Sequence, residues 1–485
     1  MKIAFAAKPQ SDTDLYLLAV SREDLKKTRG PHTDMVRMLV DAFPEFTGDA
    51  GDVVSTVLPG YEYTRFGLMG LGSVKGRSRL SLEKTGGKLM SALITLPVND
   101  VFVELHGLTA NDVAMMATGA ALRAYEFRTY MTKKQDQYLS DSITFASPAP
   151  AASKAAFARM DLERDAVHWA RDMGNEPPNV LHPVSFAGHV SKKLKKAGVK
   201  VTVIDDDQLR KMGANALVSV GQASENPACL VMLEYNGTGR KNSAPIGLVG
   251  KGVTFDTGGL SIKNTAGMLD MKTDMCGAAA VAGAICSLAA RRAKVHVVGA
   301  LALAENSISD EAFRPSDIIT SLSGQTIEIT NTDAEGRLVM ADAMWHLQDV
   351  YKPRMMVNIA TLTGAALVAL GEEYAAFFTR DEAVRKGLET ASAETGDKIW
   401  RMPLDHSYDA LAESSVADMR NAPPHSYGAS SMAAAFLARF VQDGVKWAHI
   451  DMAPTAIARS EYALGPAGVT GFGVRLLARW VENAK

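Results

Sequence analysis

The chain has 485 residues, with 52 Lys plus Arg against 54 Asp plus Glu and a formal net charge of −2. Its 47% hydrophobic and 22% charged residues exclude wholesale disorder. The charge balance excludes a protein that coats nucleic acid over its whole surface. Three cysteines, Cys229, Cys276 and Cys286, cannot form a disulfide framework, and their odd number fits a reducing compartment.

Length gives an expectation of about two to three domains. The opening residues MKIAFAAKPQ break their apolar run at Lys8, too early for a signal-peptide core. The longest run of small apolar residues, Cys276 to Ala290, falls short of the ~20 residues a bilayer requires. These features predict a soluble, cytoplasmic protein.

In chain order, Ile3–Ala6, Leu15–Val20 and Val101–Leu105 read as strands. Asn111–Phe127 reads as a helix with Ala and Met on one face. Residues 1–150 are therefore expected to form a small N-terminal α/β domain. Gly67–Gly72 (GLMGLG) lacks the spacing of a phosphate loop and reads as a plain turn. Ala146–Ala152 (ASPAPAA) is the linker candidate, placing a boundary near 150–155 and a second domain over 151–485. In that second part Val199–Ile204, Ala228–Glu234, Ile246–Gly250, Val295–Leu303, Thr326–Ile329 and Met355–Ile359 read as strands. Asp207–Met212, Gly277–Ala290 and Arg337–Val350 read as helices. Apolar strands separated by helices predict an α/β fold with a mostly parallel central sheet covered by helices.

Two segments stand out for chemistry. One is Lys251–Asp274 (KGVTFDTGGLSIKNTAGMLDMKTD) and the other Asn331–Leu338 (NTDAEGRL). Both begin where a strand is read to end, the edge at which open α/β sheets bind ligands. Asp256 sits in a Gly-rich turn, Asp274 precedes a helix, and Asp333 and Glu335 would point to one side of an extended segment. Four clustered carboxylates would repel unless divalent cations neutralised them, and oxygen-rich donors suit Mg, Mn or Zn. Bland readings stand beside this one: Asp256 as a turn residue, Asp274 as a helix cap, Asp-x-Glu as solvated loop. His346 and His449 read as core or surface residues, and Cys276 and Cys286 as packing. Ser261 has no visible base and no GxSxG elbow around it.

The strings NTDAEGRL, KGVTFDTGGLSIK and MKTDMCGAAAV together resemble the leucyl aminopeptidase family of dinuclear metallopeptidases. RDMGNEPPN at Arg171–Asn179, ATLTGA at Ala360–Ala365, ADMRN at Ala417–Asn421 and WAHIDMA at Trp447–Ala453 add to it. The resemblance is good over about residues 155–480 and looser before that, mainly around Ala121–Tyr130.

That resemblance implies a metal-dependent aminopeptidase. The tighter ion would take Lys251, Asp256, Asp274 and Glu335. The more exchangeable one would take Asp256, Glu335, and the carboxylate and carbonyl of Asp333. The ions would be Zn or Mn, with Mg or Co as alternatives. Lys263 and Arg337 fall on the family's catalytic cations, with a bicarbonate on Arg337 relaying the proton. Lys251 could ligate only as the neutral amine, which burial beside two cations would favour. The implied mechanism is attack on the scissile carbonyl by a water activated between two ions, with Lys263 stabilising the oxyanion.

An apolar pocket of Met271, Thr361, Gly364 and Ala453 would favour an N-terminal Leu or Met, and Leu362 would hold the substrate backbone. Thr257, Asn264, Pro454 and the stretch Pro423–Tyr427 depart from the family pattern, the last two where the pocket is shaped. The family also implies peptides with a free N-terminus as substrates and a homohexamer, with no membrane partner. The alternative is a DNA-binding regulator using Lys26, Lys27, Arg29, Arg77 and Arg79 of the N-terminal domain. A two-metal phosphatase is the third reading.

Overall fold

The computed structural model describes every residue except 11–12, 26–31, 59–62, 134–139, 241–242, 426 and 485. The chain forms two compact units. The first comprises Met1–Asp165 with Ser460–Ala467, and the second Ala166–Arg459 with Gly468–Lys485.

The first unit holds strands β1 (Lys2–Ala6), β2 (Leu15–Val20), β3 (Val53–Val57), β4 (Arg65–Gly70), β5 (Asp100–Glu104) and β6 (Ser142–Ala146). Its helices are α1 (Thr33–Ala42), α2 (Arg79–Leu93), α3 (Ala110–Arg123) and the start of α4 (Pro150–Asn175). The sheet order is β1-β6-β5-β2-β4-β3, parallel except at β3–β4. β2 shows why its sequence is apolar throughout. Leu15, Leu17 and Ala19 join one core cluster, while Tyr16, Leu18 and Val20 join another on the opposite face.

The GLMGLG stretch is not a turn: residues 67–70 lie inside β4. Its glycines serve close approach, since a Cβ on Gly67 would sit 2.4 Å from Val54 O and one on Gly70 2.0 Å from Asp49 O. The stretch read as a linker is the end of β6, three connecting residues and the first turn of α4.

The second unit continues with β7 (Lys200–Ile204), β8 (Cys229–Asn236), β9 (Ile246–Asp256), β10 (His296–Asn306), β11 (Ile318–Thr320), β12 (Thr326–Glu328), β13 (Met355–Ala360), β14 (Ala375–Phe378), β15 (Ile399–Arg401), β16 (Met419–Arg420) and β17 (Lys446–Asp451). Its helices are α5 (Pro183–Lys196), α6 (Asp206–Met212), α7 (Asn215–Gly221), α8 (Thr265–Met268), α9 (Cys276–Ala290), α10 (Gly336–Tyr351), α11 (Gly364–Leu370), α12 (Glu382–Thr395), α13 (Ala429–Ala438) and α14 (Val474–Asn483). The main sheet runs β15-β14-β17-β13-β9-β10-β8-β7. Its central strands β17, β13, β9 and β10 are parallel, and antiparallel strands flank them. β12 lies instead in a small sheet, β11-β12-β16.

α9 and α10 both pack on β9, β10 and β13. The stretch Thr265–Ala290 is long and apolar enough to cross a membrane, but 94% of its apolar window is buried inside the fold. Small residues let α9 lie close to the sheet: Gly250 and Gly252 of β9 meet Ala278. β9 runs six residues beyond the expected Gly250, and that extension carries Lys251 and Asp256.

Candidate metal centre

Alternation along β9 puts Lys251 on the same face as the core residues Val249 and Val253. A lysine there is 2% exposed and needs partners. Its Nζ lies 2.8 Å from Asp274 Oδ1 and 2.7 Å from Glu335 Oε1, and donates to Thr361 O at 3.0 Å. Gly336 opens α10 beside it, and a Cβ there would sit 2.6 Å from Lys251 Cε. Only glycine leaves room for the lysine stem.

Asp256 ends β9 and is 2% exposed. Its Oδ1 accepts from Gly258 N at 2.9 Å and Asn306 Nδ2 at 2.8 Å, and its Oδ2 lies 2.8 Å from Lys263 Nζ. Lys263 also pairs with Asp333. Gly258, at φ +86°, turns the chain back so that Lys263 can reach. The Thr332 hydroxyl then ties the two loops, donating to Gly258 O at 2.6 Å and accepting from Ser261 N at 2.7 Å.

Asp333 and Glu335 converge, but not by strand alternation. The segment is a turn, in which Asn331 Oδ1 accepts from Asp333 N at 2.8 Å, and Glu335 is already helical at φ −80°, ψ −34° as it enters α10. Asp256, Asp333 and Glu335 place carboxylate oxygens within 4.8 Å of one another. Asp274 is not the N-cap of α9. Met275 holds that position, and Asp274 Oδ1 instead accepts from Thr361 Oγ1 at 2.8 Å. Asp274 Oδ2 is buried with no hydrogen-bond partner among the described residues.

The electrostatics follow. Burial drives the Asp274 carboxyl well above its usual range, against the pull of Lys251. Burial, then the Asp256 and Glu335 charges, push Asp333 up to about 6, opposed by Lys263. Burial alone would depress Lys251, but the Asp274, Glu335 and Asp256 charges outweigh it and raise its pKa. Without ions Lys251 is therefore held protonated, and the neutral amine expected of a ligand requires cation charge in the cluster. Burial likewise lowers Lys263 and is outweighed by Asp256, Glu335 and Asp333. Four carboxylates, one of them with an orphaned oxygen, and a buried amine make a donor set that fits divalent ions.

Arg337 sits in the first turn of α10, 5% exposed. Its Nη1 donates to Asn421 O at 2.7 Å, while its Nε has no hydrogen-bond partner among the described residues. Burial lowers its pKa to about 10. It lines a cavity of about 390 Å³ together with Lys263, Asp333, Leu362, Gly364 and His425. Thus Leu362 and Gly364 share a wall with the two cations, whereas Met271, Thr361 and Ala453 do not line this cavity. Pro423 and His425, from the stretch that departs from the family pattern, do. Of the other departures, Asn264 caps α8 through its Oδ1, and Thr257 Oγ1 accepts from Gly259 N at 3.0 Å.

Three positioning residues were not singled out by sequence reasoning. Asn306 reaches Asp256 from β10. Asn421 accepts from Thr330 N at 2.8 Å and donates to Asn331 O at 2.7 Å, fixing the loop before α10. Asp451, fully buried at the end of β17, accepts from Leu362 N at 3.0 Å and Thr363 Oγ1 at 2.6 Å. A buried polar residue at a strand end was the available signal for Asp451, inside WAHIDMA.

His449 is buried beside Asn358, its pKa lowered to about 3 by burial, and Cys276 is a buried thiol pushed up to about 12. In the first unit Arg79 is matched by Glu83 at 2.8 Å and Glu163 at 3.6 Å, while Lys26, Lys27 and Arg29 lie outside the described residues.

Residues 168–478 match the catalytic domain of the cytosol aminopeptidase family, and residues 43–134 match that family's N-terminal domain. A "Probable cytosol aminopeptidase" of Ehrlichia ruminantium is 42% identical over 457 residues, 93% of this chain and 91% of the relative. A protein of the same description from a Bradyrhizobium species is 45% identical over 447 residues, 91% of this chain and 89% of the relative. Among solved structures, "Bottromycin maturation enzyme BotP in complex with Mn" superposes with a TM-score of 0.85 at 31% identity, covering 97% of this chain and 99% of that one.

Proposed function

The chain belongs to the cytosol aminopeptidase family and is a metal-dependent aminopeptidase, and from that premise we propose how its own residues do the work. Lys251, Asp256, Asp274, Asp333 and Glu335 hold two divalent ions, Zn or Mn. The observation that carries this reading is the pair of lysines set among four carboxylates, with Asp274 Oδ2 left without a partner. Ions held by these residues would supply Lewis acidity and lower the pKa of a water toward neutral. Asp256 and Glu335 would serve both ion positions, and the ion held with Lys251 and Asp274 would offer a place for the free α-amine of the peptide, which would account for exopeptidase action.

Lys263 stabilises the oxyanion at the scissile carbonyl. Its stem is fixed by the Gly258 turn, so the charge is in place before the substrate arrives. Arg337 would hold an anion, taken as bicarbonate, which would supply a base and acid for the proton bound to the leaving amine. A buried guanidinium whose Nε lacks a partner suits that role. Leu362 and Gly364, which line the cavity, border the substrate, and an N-terminal Leu or Met is the preferred residue. A homohexamer and a cytoplasmic location complete the reading.

The test is release of the first residue from Leu-, Met-, Lys- and Asp-anilides by protein stripped with chelator and reloaded with Mn or Zn. Release that is lost on stripping, restored on loading and fastest for Leu or Met supports it. Equal rates across the panel would remove the specificity assignment. For the DNA-binding alternative, Arg79 is paired within its own unit, and a salt-sensitive gel shift is the observation the reading would need.

A further inference from the structure

We propose that Asn306 is a positioning residue that gives the two oxygens of Asp256 different jobs. The inference rests on the two-ion reading of the site. Asn306 and Asp256 are register partners across the parallel β9–β10 ladder, at an irregularity where β9 carries one more residue than β10. That irregularity brings the amide beside the carboxylate. Asn306 is fully buried, and its Nδ2 donates to Asp256 Oδ1 at 2.8 Å and to Thr332 O at 3.2 Å.

Both neighbours are acceptors, so the amide nitrogen must face them and the orientation of the side chain is settled. Asp256 Oδ1 also takes Gly258 N at 2.9 Å. Two N–H donors occupy both lone pairs of Oδ1. Oδ2, held by Lys263 at 2.8 Å, is then the oxygen that turns to the ions.

Asparagine is a costly choice here. Its own Oδ1 is buried with no donor. Leucine of similar size would remove that orphan, but only by taking the donor from Asp256 Oδ1 and Thr332 O. Aspartate would face two acceptors and add a fifth negative charge to the cluster. A residue that keeps an unsatisfied buried oxygen in order to offer one N–H₂ group to a ligand carboxylate is placed there for the carboxylate.

Asn306→Leu separates this role from a merely structural one, because it deletes the donor and the orphan together. The thermal midpoint of chelator-stripped protein and its affinity for Mn, by titration calorimetry, are compared with wild type. The expected result is Mn affinity weakened roughly 10- to 100-fold in a variant whose ion-free midpoint stays near wild type, the orphan removed offsetting the two acceptors left short of a donor. Asn306→Ala, measured alongside, keeps the test available should the Leu variant not fold. Mn affinity within threefold of wild type in the folded variant would overturn the proposal. Absence of Mn binding by wild-type protein would instead remove the two-ion reading on which it stands, with Asp256→Ala as the reference for a site that has lost a ligand.

Discussion

Lys251 and Lys263 divide the four carboxylates between them: Lys251 takes Asp274 and Glu335, and Lys263 takes Asp256 and Asp333. Two ammonium groups thus do, in the ion-free protein, part of the neutralising that divalent ions would do. Loading the site is therefore an exchange of positive charges.

That exchange must release protons. Lys251 is held protonated by its carboxylate neighbours, and Asp274 and Asp333 are both raised, Asp333 to about 6. An amine or carboxyl that ligates has to give its proton up. Ion affinity should rise with pH between 6 and 8, by about tenfold per unit for each proton displaced. Calorimetry in buffers of different ionisation enthalpy reads the number released. Heats independent of buffer would exclude Lys251 as a ligand.

Lys263→Ala should lower kcat by ~100-fold or more, the usual loss on removing an oxyanion donor. It also leaves Asp256 and Asp333 without their cation, so the ion-free protein should melt earlier, while the ion-loaded protein melts close to wild type. Steady-state kinetics and paired melting curves check both. An unchanged kcat would assign the lysine a purely neutralising role.

Gly336→Ala tests the crowding at the start of α10. A methyl 2.6 Å from Lys251 Cε must displace the lysine stem, since the helix and β9 are both core elements. Misplacement of a ligand by ~1 Å is worth ~100-fold in rate, and activity should fall by that order. Restored activity at high Mn concentration would locate the defect in ion binding.

Asp342, five residues beyond Arg337 on α10, gives a pH-dependent stability of its own. It is 1% exposed, and burial raises its pKa to about 7 although it accepts from Leu217 N at 3.0 Å and Leu322 N at 2.8 Å. Its folded value lies above the unfolded one, so its contribution is fully present below about pH 4 and is lost as pH rises through 7. Asp342→Asn removes that titration. Urea midpoints should show the variant gaining on wild type between pH 5 and pH 8. A constant difference would contradict the assignment.

Much of this was legible in residue order. The apolar alternation of β2 and the small-residue helix α9 follow from burial on two faces and from close packing, both local properties. β9 was read short because a lysine ordinarily ends a buried strand. Lys251 continues one only because Asp274 and Glu335, 23 and 84 positions away, meet it there. Asp333 and Glu335 were placed on one side by the wrong geometry: a turn and a helix start replace the strand. Asn306 and Asp451 were passed over for a related reason. Their meaning lies mainly in partners 50 and 89 residues distant, and the one local signal is the apolar strand that Asp451 ends.

Asp451 also bears on how the cavity wall behaves in time. Its carboxylate gathers Leu362 N, Thr363 Oγ1 and Ala453 N at the end of β17, the strand beside β13 from which residues 361–364 emerge. Ordering a backbone costs ~1–2 kcal/mol of conformational entropy per residue. Here that cost is met once, when the chain folds. A peptide arriving at the cavity finds Leu362 and Gly364 already still, and none of its binding energy is diverted to quieting the loop.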